Sequence, residues 1–143
     1  MKKNNDRLKH AVHNEAVCNF LDTNVLFADW TITTAFYSAL HFINYKIFPQ
    51  TVSSIGGKKT VIENIDHYSS YNNPKRVSKH ELLSDLAAKH CTAISEDYDW
   101  LLDMSMNARY KHYQHDKEIA NKARRLLLVI KNHCATPQEI KVL

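Results

Sequence analysis

Apolar residues recur at helical spacing along most of this chain. The pattern predicts about five helices, each with one stripe of large apolar side chains set against polar positions. Between them stand short groups of residues that favour turns and helix caps, such as Asp22-Thr23-Asn24. The predicted helices span about 6–21, 28–48, 78–94, 95–108 and 116–130.

The second predicted helix, 28–48, is apolar on two faces. One face carries Ile32, Phe36, Ala39, Ile43 and Ile47. The opposite face carries Trp30, Tyr37, Leu40, His41, Asn44 and Phe48. A helix with two such faces is usually buried on both, either by its own chain or by a second subunit. The pattern therefore predicts a homodimer interface around Trp30, Tyr37 and His41, with a buried, hydrogen-bonded core role for His41 as the alternative.

Residues 49–77 interrupt the helical pattern. Both glycines, Gly56 and Gly57, lie here, and only 61–68 has the spacing of a short helix. We expect an irregular loop that is the most mobile part of the chain. The sequence Ser78-Lys79-His80-Glu81 then matches a capping box and predicts where the next helix begins.

Composition strengthens the helical prediction. Only two glycines and three prolines occur among 143 residues, whereas an all-β domain needs many tight turns built from these residues. A chain of this length typically forms one domain, here taken as 1–143. We therefore predict an all-α fold without a sheet, an up-and-down bundle of four to five helices.

Charge and cysteine content limit the class of protein. The formal net charge of +4 permits RNA or another anion as a partner without requiring one. Cys18, Cys91 and Cys134 form no C-x-x-C pair, which favours a reducing compartment. No signal-type apolar segment and no apolar run near ~20 residues occurs, so we expect a cytoplasmic protein without membrane contact.

Metal and cofactor motifs are not apparent in the sequence. His10 and His13, like His112 and His115, are three positions apart, but no cysteine or carboxylate is tied to either pair. Structural zinc usually has four ligands. Solvent-facing histidines are the simpler interpretation, and no metal and no cofactor is predicted.

Two segments resemble one known family. Residues 29–41, which end in Phe36-Tyr37-Ser38-Ala39-Leu40-His41, resemble an aromatic-Tyr-x-Ala-Leu-His helix. Residues 98–110 resemble a later Y-x2-L-x3-S-x2-A-R-Y segment. Both occur in this order in the HEPN-like family (higher eukaryotes and prokaryotes nucleotide-binding), in its small bacterial single-domain type.

The resemblance implies a short helical bundle that is commonly dimeric. Many members are metal-independent ribonucleases that act as toxins or in antiviral defence, and they carry an Arg followed several residues later by a His. Such members work beside a cognate antitoxin or a nucleotidyltransferase protein. Other members lack the pair and bind RNA, a nucleotide or a protein partner without catalysis.

Carried onto this chain, the resemblance makes Arg109 and His115 the candidate catalytic pair. A His that titrates near neutral pH suits proton transfer at a 2′-hydroxyl, and an Arg suits the phosphate. Six positions apart on one helix, the two would point about 120° away from each other. They converge only if the helix ends between them or if a second subunit contributes. The basic and aromatic residues between them are candidate RNA-binding positions: Tyr110, Lys111, His112 and Tyr113.

The sequence also departs from the nuclease pattern. Tyr110 stands where toxin-type members often have a polar residue, and Lys117 stands where they often have Tyr. The alternative is that Arg109 and Tyr110 close the helix structurally, with Arg109 paired to Asp103 or Asp29, while 111–115 form a solvated turn. An RNA endonuclease and a non-catalytic binding module therefore both fit the sequence.

Overall fold

The structure is a computed structural model that describes residues 2–111 and 116–143. Within these residues the chain is mostly helical, as predicted. The helices are α1 (Asn5–Leu21), α2 (Ala28–Ile47), α3 (Ile65–Tyr71), α4 (Lys79–His90), α5 (Ser95–Tyr110), α6 (Lys117–Cys134) and α7 (Pro137–Lys141). Two strands, β1 (Gln50–Ser53) and β2 (Lys59–Ile62), lie between α2 and α3.

Helix α2 forms the centre of the bundle and packs against α1, α5 and α6. Its side chains Ile32, Phe36 and Ile43 are fully buried. A small residue, Ser38, lets α1 approach closely, and its hydroxyl donates to the Ala11 carbonyl at 2.7 Å. Each buried Phe or Ile side chain contributes roughly 1.5–3 kcal/mol to folding. This packing makes α2 the element against which the other helices are positioned.

The second face of α2 is largely covered by its own chain. Asn44 and Phe48 are buried, and Tyr37 and His41 are half-buried. Trp30, at the start of the helix, is the exception with 55% of its surface exposed. Two apolar faces on this helix are therefore mostly explained without a second subunit.

The prediction of a fold without a sheet is wrong. Strands β1 and β2 pair antiparallel, with Gln50 opposite Ile62 and Ser53 opposite Lys59. The turn between them contains Gly57, whose φ of +79° is a conformation that glycine adopts readily. Each strand has only four residues, too few for a clear alternating pattern.

The segment 49–77 is also more regular than predicted. Beyond the hairpin, helix α3 begins at the cap residue Asn64, whose side chain accepts from the His67 amide at 2.8 Å. Helix α3 packs against α4. Ile62 at the end of β2 is fully buried and joins the core. The segment therefore contains a hairpin that was not predicted and a short helix, α3, that overlaps the predicted helical stretch 61–68.

Ion pairs fix the start of α6 beside the end of α1. The Asp22 carboxylate forms ion pairs with Lys117, at 3.0 Å, and with Arg124, at 2.7 Å. Lys131 pairs with Glu15 about two turns further along α6, at 2.7 Å. Because Lys117 is the first residue of α6, its ion pair with Asp22 holds the N-terminus of α6 beside the C-terminus of α1.

Among the described helices, none is both long and apolar enough to cross a lipid bilayer.

Candidate functional site

Arg109 lies in the last turn of α5, against α2. Ser105 and Ala108 on the same helix are buried, and their small side chains let α5 come close to α2. The guanidinium therefore extends towards Tyr37, with Nη1 donating to the Tyr37 hydroxyl at 2.7 Å. The pairing of these two residues unites the two segments that carry the family resemblance.

Further hydrogen bonds hold the guanidinium against its own helix. Nε of Arg109 donates to the Ser105 carbonyl at 3.2 Å, and Nη2 lies 3.4 Å from the Ser105 hydroxyl. Nη2 also lies 3.3 Å from the sulfur of Met106. A guanidinium has five N–H donors, so these contacts orient the group and leave donor capacity for a ligand.

Aromatic rings surround the guanidinium. The Cζ atom of Arg109 lies 5.3 Å from the ring centroid of Tyr37, 5.3 Å from that of Tyr110 and 5.9 Å from that of Phe36. Rings at this distance attract a cation through their negative faces. They stabilise the charge of Arg109 without neutralising it.

No carboxylate neutralises Arg109 within residues 2–111 and 116–143. None of the ion pairs in this part of the chain includes Arg109. The alternative that Arg109 pairs with Asp103 or Asp29 is therefore not observed, although Asp29 lines the same cavity as Arg109. A half-buried cation that is oriented but not neutralised is suited to bind an anion, and a planar guanidinium matches the oxygens of phosphate.

His80, in the first turn of α4, also belongs to this region. Its ring lies edge-on to Phe36, with the centroids 5.5 Å apart. Partial burial, and then the charge of Arg109, lower the pKa of His80 below its ordinary value. The neutral imidazole is therefore favoured at neutral pH, a state that can accept a proton.

Sequence analysis did not identify His80 as a functional candidate. It was noted only as part of the capping sequence that precedes α4. The residue lies far from both Tyr37 and Arg109 along the chain, so only the packing of α4 beside α2 brings it near them. No local pattern contains that information.

A cavity of about 400 Å³ opens beside Arg109, between the start of α2 and the end of α5. Its size lies within the range of small-molecule sites. Trp30 and Tyr110 on its border are exposed over 55% and 71% of their surfaces. The residues that line it are Asp29, Trp30, Thr33, Ala108, Arg109 and Tyr110.

The three predicted interface residues do not share one environment. Trp30 borders the cavity, Tyr37 accepts a hydrogen bond from Arg109, and His41 faces α1. The His41 ring packs edge-on against His10 with the centroids 5.1 Å apart. Burial, and then the nearby His10, lower the pKa of His41. His41 thus belongs to a second region, separate from the Arg109 site.

Part of the predicted site lies outside the described residues, namely His112, Tyr113 and the catalytic candidate His115. Tyr110 and Lys111 are exposed at the end of α5. Helix α5 ends at Tyr110 and α6 begins at Lys117, so the chain leaves the helix between Arg109 and His115.

Within residues 2–111 and 116–143, no three His, Cys, Asp or Glu side chains are grouped so that they could hold a metal ion.

No protein-family model, no curated protein and no solved structure matches this chain. Any function assigned to the candidate site therefore has to be argued from the contacts of its own residues.

Proposed function

We propose that this chain is a HEPN-like protein that cleaves RNA without a metal ion, with Arg109 as the group that binds the scissile phosphate. The observation that carries the proposal is the guanidinium itself. Tyr37 and Ser105 orient it, aromatic rings surround it, and no described carboxylate neutralises it. A phosphodiester supplies the negative charge that this arrangement lacks.

In the proposed reaction, His115 takes the proton from a 2′-hydroxyl while the 2′-oxygen attacks the phosphorus. The bond to the 5′-oxygen breaks, and a protonated acid gives that oxygen its proton. The products are a 2′,3′-cyclic phosphate and a free 5′-hydroxyl. Negative charge grows on the phosphoryl oxygens in the transition state, where the fixed guanidinium stabilises it. His80 is the second candidate for proton transfer, because it lies in the same region and its lowered pKa favours the neutral imidazole.

A second function, RNA binding without cleavage, is favoured by a specific feature of the site. Tyr110 stands directly after Arg109, and its ring lies 5.3 Å from the guanidinium. The toxin-type pattern has a polar residue there instead. An aromatic ring beside an arginine suits stacking with bases.

Partners of the chain belong to the same proposal. We propose a homodimer in which Trp30 contributes to the contact between the two copies, because its large side chain is mostly exposed. A cognate antitoxin or a nucleotidyltransferase protein is the further partner that the family resemblance implies. The proposed cytoplasmic setting is in keeping with Cys18, Cys91 and Cys134, which are unpaired and buried.

The experiment incubates purified protein with mixed single-stranded RNAs in EDTA. Arg109→Ala, His115→Ala and His80→Ala are assayed beside the wild type, and the ends of the products are identified. Loss of one positioned acid–base group should slow cleavage by about 10² to 10⁴. Arg125→Ala is the matched control, because Arg125 is an exposed arginine on another helix.

Cleavage by the wild type and by Arg125→Ala, with loss in Arg109→Ala and His115→Ala, supports the nuclease. Cleavage that survives His115→Ala but not His80→Ala assigns proton transfer to His80 instead. RNA that stays intact yet binds in an Arg109-dependent manner supports the non-catalytic function. RNA that is neither bound nor cleaved contradicts both.

A further inference from the structure

The cavity beside Arg109 is lined by both aromatic and charged side chains. Trp30 in the first turn of α2 and Tyr110 at the end of α5 supply two exposed aromatic side chains. Asp29 and Arg109 supply one anion and one cation. Exposed aromatic side chains next to an oriented guanidinium are typical of sites where an unpaired base stacks while its phosphate is held.

The two charged groups in the cavity do not neutralise each other. Among the ion pairs of the described residues, neither Asp29 nor Arg109 takes part. The Asp29 backbone carbonyl accepts from the Thr33 hydroxyl at 2.9 Å, which fixes the first turn of α2. The Asp29 carboxylate receives no hydrogen bond from residues 2–111 and 116–143. The Asp29 carboxylate and the Arg109 guanidinium therefore both line the cavity, and both can still form hydrogen bonds with a ligand.

The chemistry of Asp29 distinguishes among the four bases. An ionised carboxylate offers two acceptor oxygens and no donor. Guanine alone presents two adjacent donors on its Watson–Crick edge, the N1–H and the 2-amino group. Adenine and cytosine present one donor beside an acceptor, and uracil presents one donor between two acceptors. The carboxylate therefore matches guanine best.

We infer that this cavity is a binding site for a guanine nucleotide, with the base stacked on Trp30 and Tyr110, its Watson–Crick edge at Asp29 and its phosphate at Arg109. The nucleotide has two chemical sources, a free guanosine monophosphate or a guanosine within single-stranded RNA. The inference takes the second source, and to that extent it rests on the proposed RNA function. It adds a base preference that the proposed function does not require.

The test uses the fluorescence of Trp30. Trp100 is the other tryptophan of the chain and packs under Lys122, whose Nζ lies 4.5 Å from its ring centroid. Trp100→Phe leaves Trp30 as the single reporter, and His115→Ala in the same protein separates binding from cleavage. Circular dichroism confirms that this background is folded. Guanosine monophosphate and uridine octamers with one central guanosine, adenosine or inosine are then titrated in EDTA.

The guanosine octamer should quench Trp30 and bind most tightly. Inosine lacks the 2-amino group, so its octamer should bind about tenfold more weakly. In the background with Trp100 retained, Trp30→Ala should weaken binding of a labelled guanosine octamer by about 5- to 100-fold. Asp29→Asn should remove the preference for guanosine over adenosine. Trp30 is exposed, so its replacement should not disturb the fold.

The possible outcomes separate this inference from the proposed function. If all octamers bind equally, and Trp30→Ala and Asp29→Asn have no effect while Arg109→Ala does, the guanine site is overturned and RNA binding stands. If guanosine monophosphate binds as tightly as the guanosine octamer, the guanine site stands and its RNA source is overturned, while the proposed function is judged by the cleavage assay. If no nucleotide or octamer binds, both proposals are overturned.

Discussion

At the scale of single residues, buried polar groups differ in whether they have a partner. The Tyr45 hydroxyl donates to the Glu139 carboxylate, and burial, followed by this contact, raises the pKa of Tyr45 to about 12. The Tyr98 hydroxyl is buried and has no hydrogen-bond partner within residues 2–111 and 116–143. An unpaired buried hydroxyl costs free energy, whereas a paired one does not.

The first prediction compares these two tyrosines. Tyr98→Phe should leave the free energy of unfolding unchanged or raise it by about 1 kcal/mol, because it removes an unpaired hydroxyl and keeps the ring. Tyr45→Phe should lower it by about 1.5–3 kcal/mol, because it removes a hydrogen bond to a charged group. Urea unfolding measures both. A loss of stability in Tyr98→Phe as large as in Tyr45→Phe would be inconsistent with the packing described.

The second prediction concerns pH. Burial lowers the pKa of His41 in the folded chain below its ordinary value of 6.5, and the neighbouring His10 adds to the shift. As pH falls below about 6.5, the unfolded chain binds a proton at this position more readily than the folded chain does. The free energy of unfolding should therefore decrease with acidification, a trend to which His80 and His90 contribute in the same direction.

The melting temperature measured between about pH 7.5 and pH 5.5 tests this dependence. His41→Asn should reduce the slope because the titrating group is removed. A stability that rises on acidification, or a slope that His41→Asn leaves unchanged, would refute the assignment.

At the scale of elements, the helices were predictable because each has its own pattern. The long helices agree with the predicted spans to within a few residues, except that the span 78–94 ends earlier, with α4 at His90 and a short 3₁₀ turn over Thr92–Ile94. The hairpin was not predictable in the same way, since four-residue strands contain too few positions to separate a period of two from other spacings. Pairing between strands is also a contact over a distance along the chain, which local patterns do not specify.

Helix capping was predicted only in part. The Ser78 hydroxyl accepts from the Glu81 amide at 3.2 Å, which is one half of the predicted capping box. A complete capping box occurs instead at Thr136 and Glu139, before α7. Sequence spacing identifies candidates for this motif, but the side-chain rotamer of the acidic residue decides whether the second hydrogen bond forms.

The third prediction follows from this cap. Ser78→Ala should lower the free energy of unfolding by about 1 kcal/mol, because it leaves an amide in the first turn of α4 without its acceptor. Ser78→Asp is the matched control and should retain wild-type stability, since aspartate is an equally good cap. Equal destabilisation by both substitutions would show that the Ser78 hydroxyl does not act as the cap.

At the scale of the whole molecule, the candidate site arises from three helices that are distant in sequence. Arg109 and Tyr37 were both predicted as functional residues, but for different roles, catalysis and dimer contact. Their hydrogen bond assigns Tyr37 to the Arg109 site, and such a contact depends on how α5 packs against α2. Residue type and motif therefore selected Arg109 and Tyr37 as candidates, whereas their contact and the position of His80 beside them depended on the fold.

The fourth prediction is the homodimer. Phe20, Leu26 and Trp30 near the junction of α1 and α2 are exposed over 76%, 79% and 55% of their surfaces. A second copy would cover Phe20 and Leu26 and leave the Trp30 ring at the edge of the contact, open to the cavity. The cavity beside Trp30 would then open into the cleft between the copies. Light scattering should report a dimer at concentrations of tens of micromolar, roughly the range of a weak standard interface. Leu26→Asp should shift it towards monomer, and a wild-type monomer would contradict the prediction.

The central claim is that Arg109 binds RNA phosphate, and the most direct measurement is the affinity for a single-stranded RNA. Arg109→Ala and the exposed Arg125→Ala remove the same charge from the chain, so comparing them separates a specific site from general attraction. In the His115→Ala background, to prevent cleavage, Arg109→Ala should weaken binding by about 10- to 100-fold. Arg125→Ala should weaken it by at most about twofold, as expected for a screened surface charge. Equal losses in the two variants would show that Arg109 is not a phosphate-binding site.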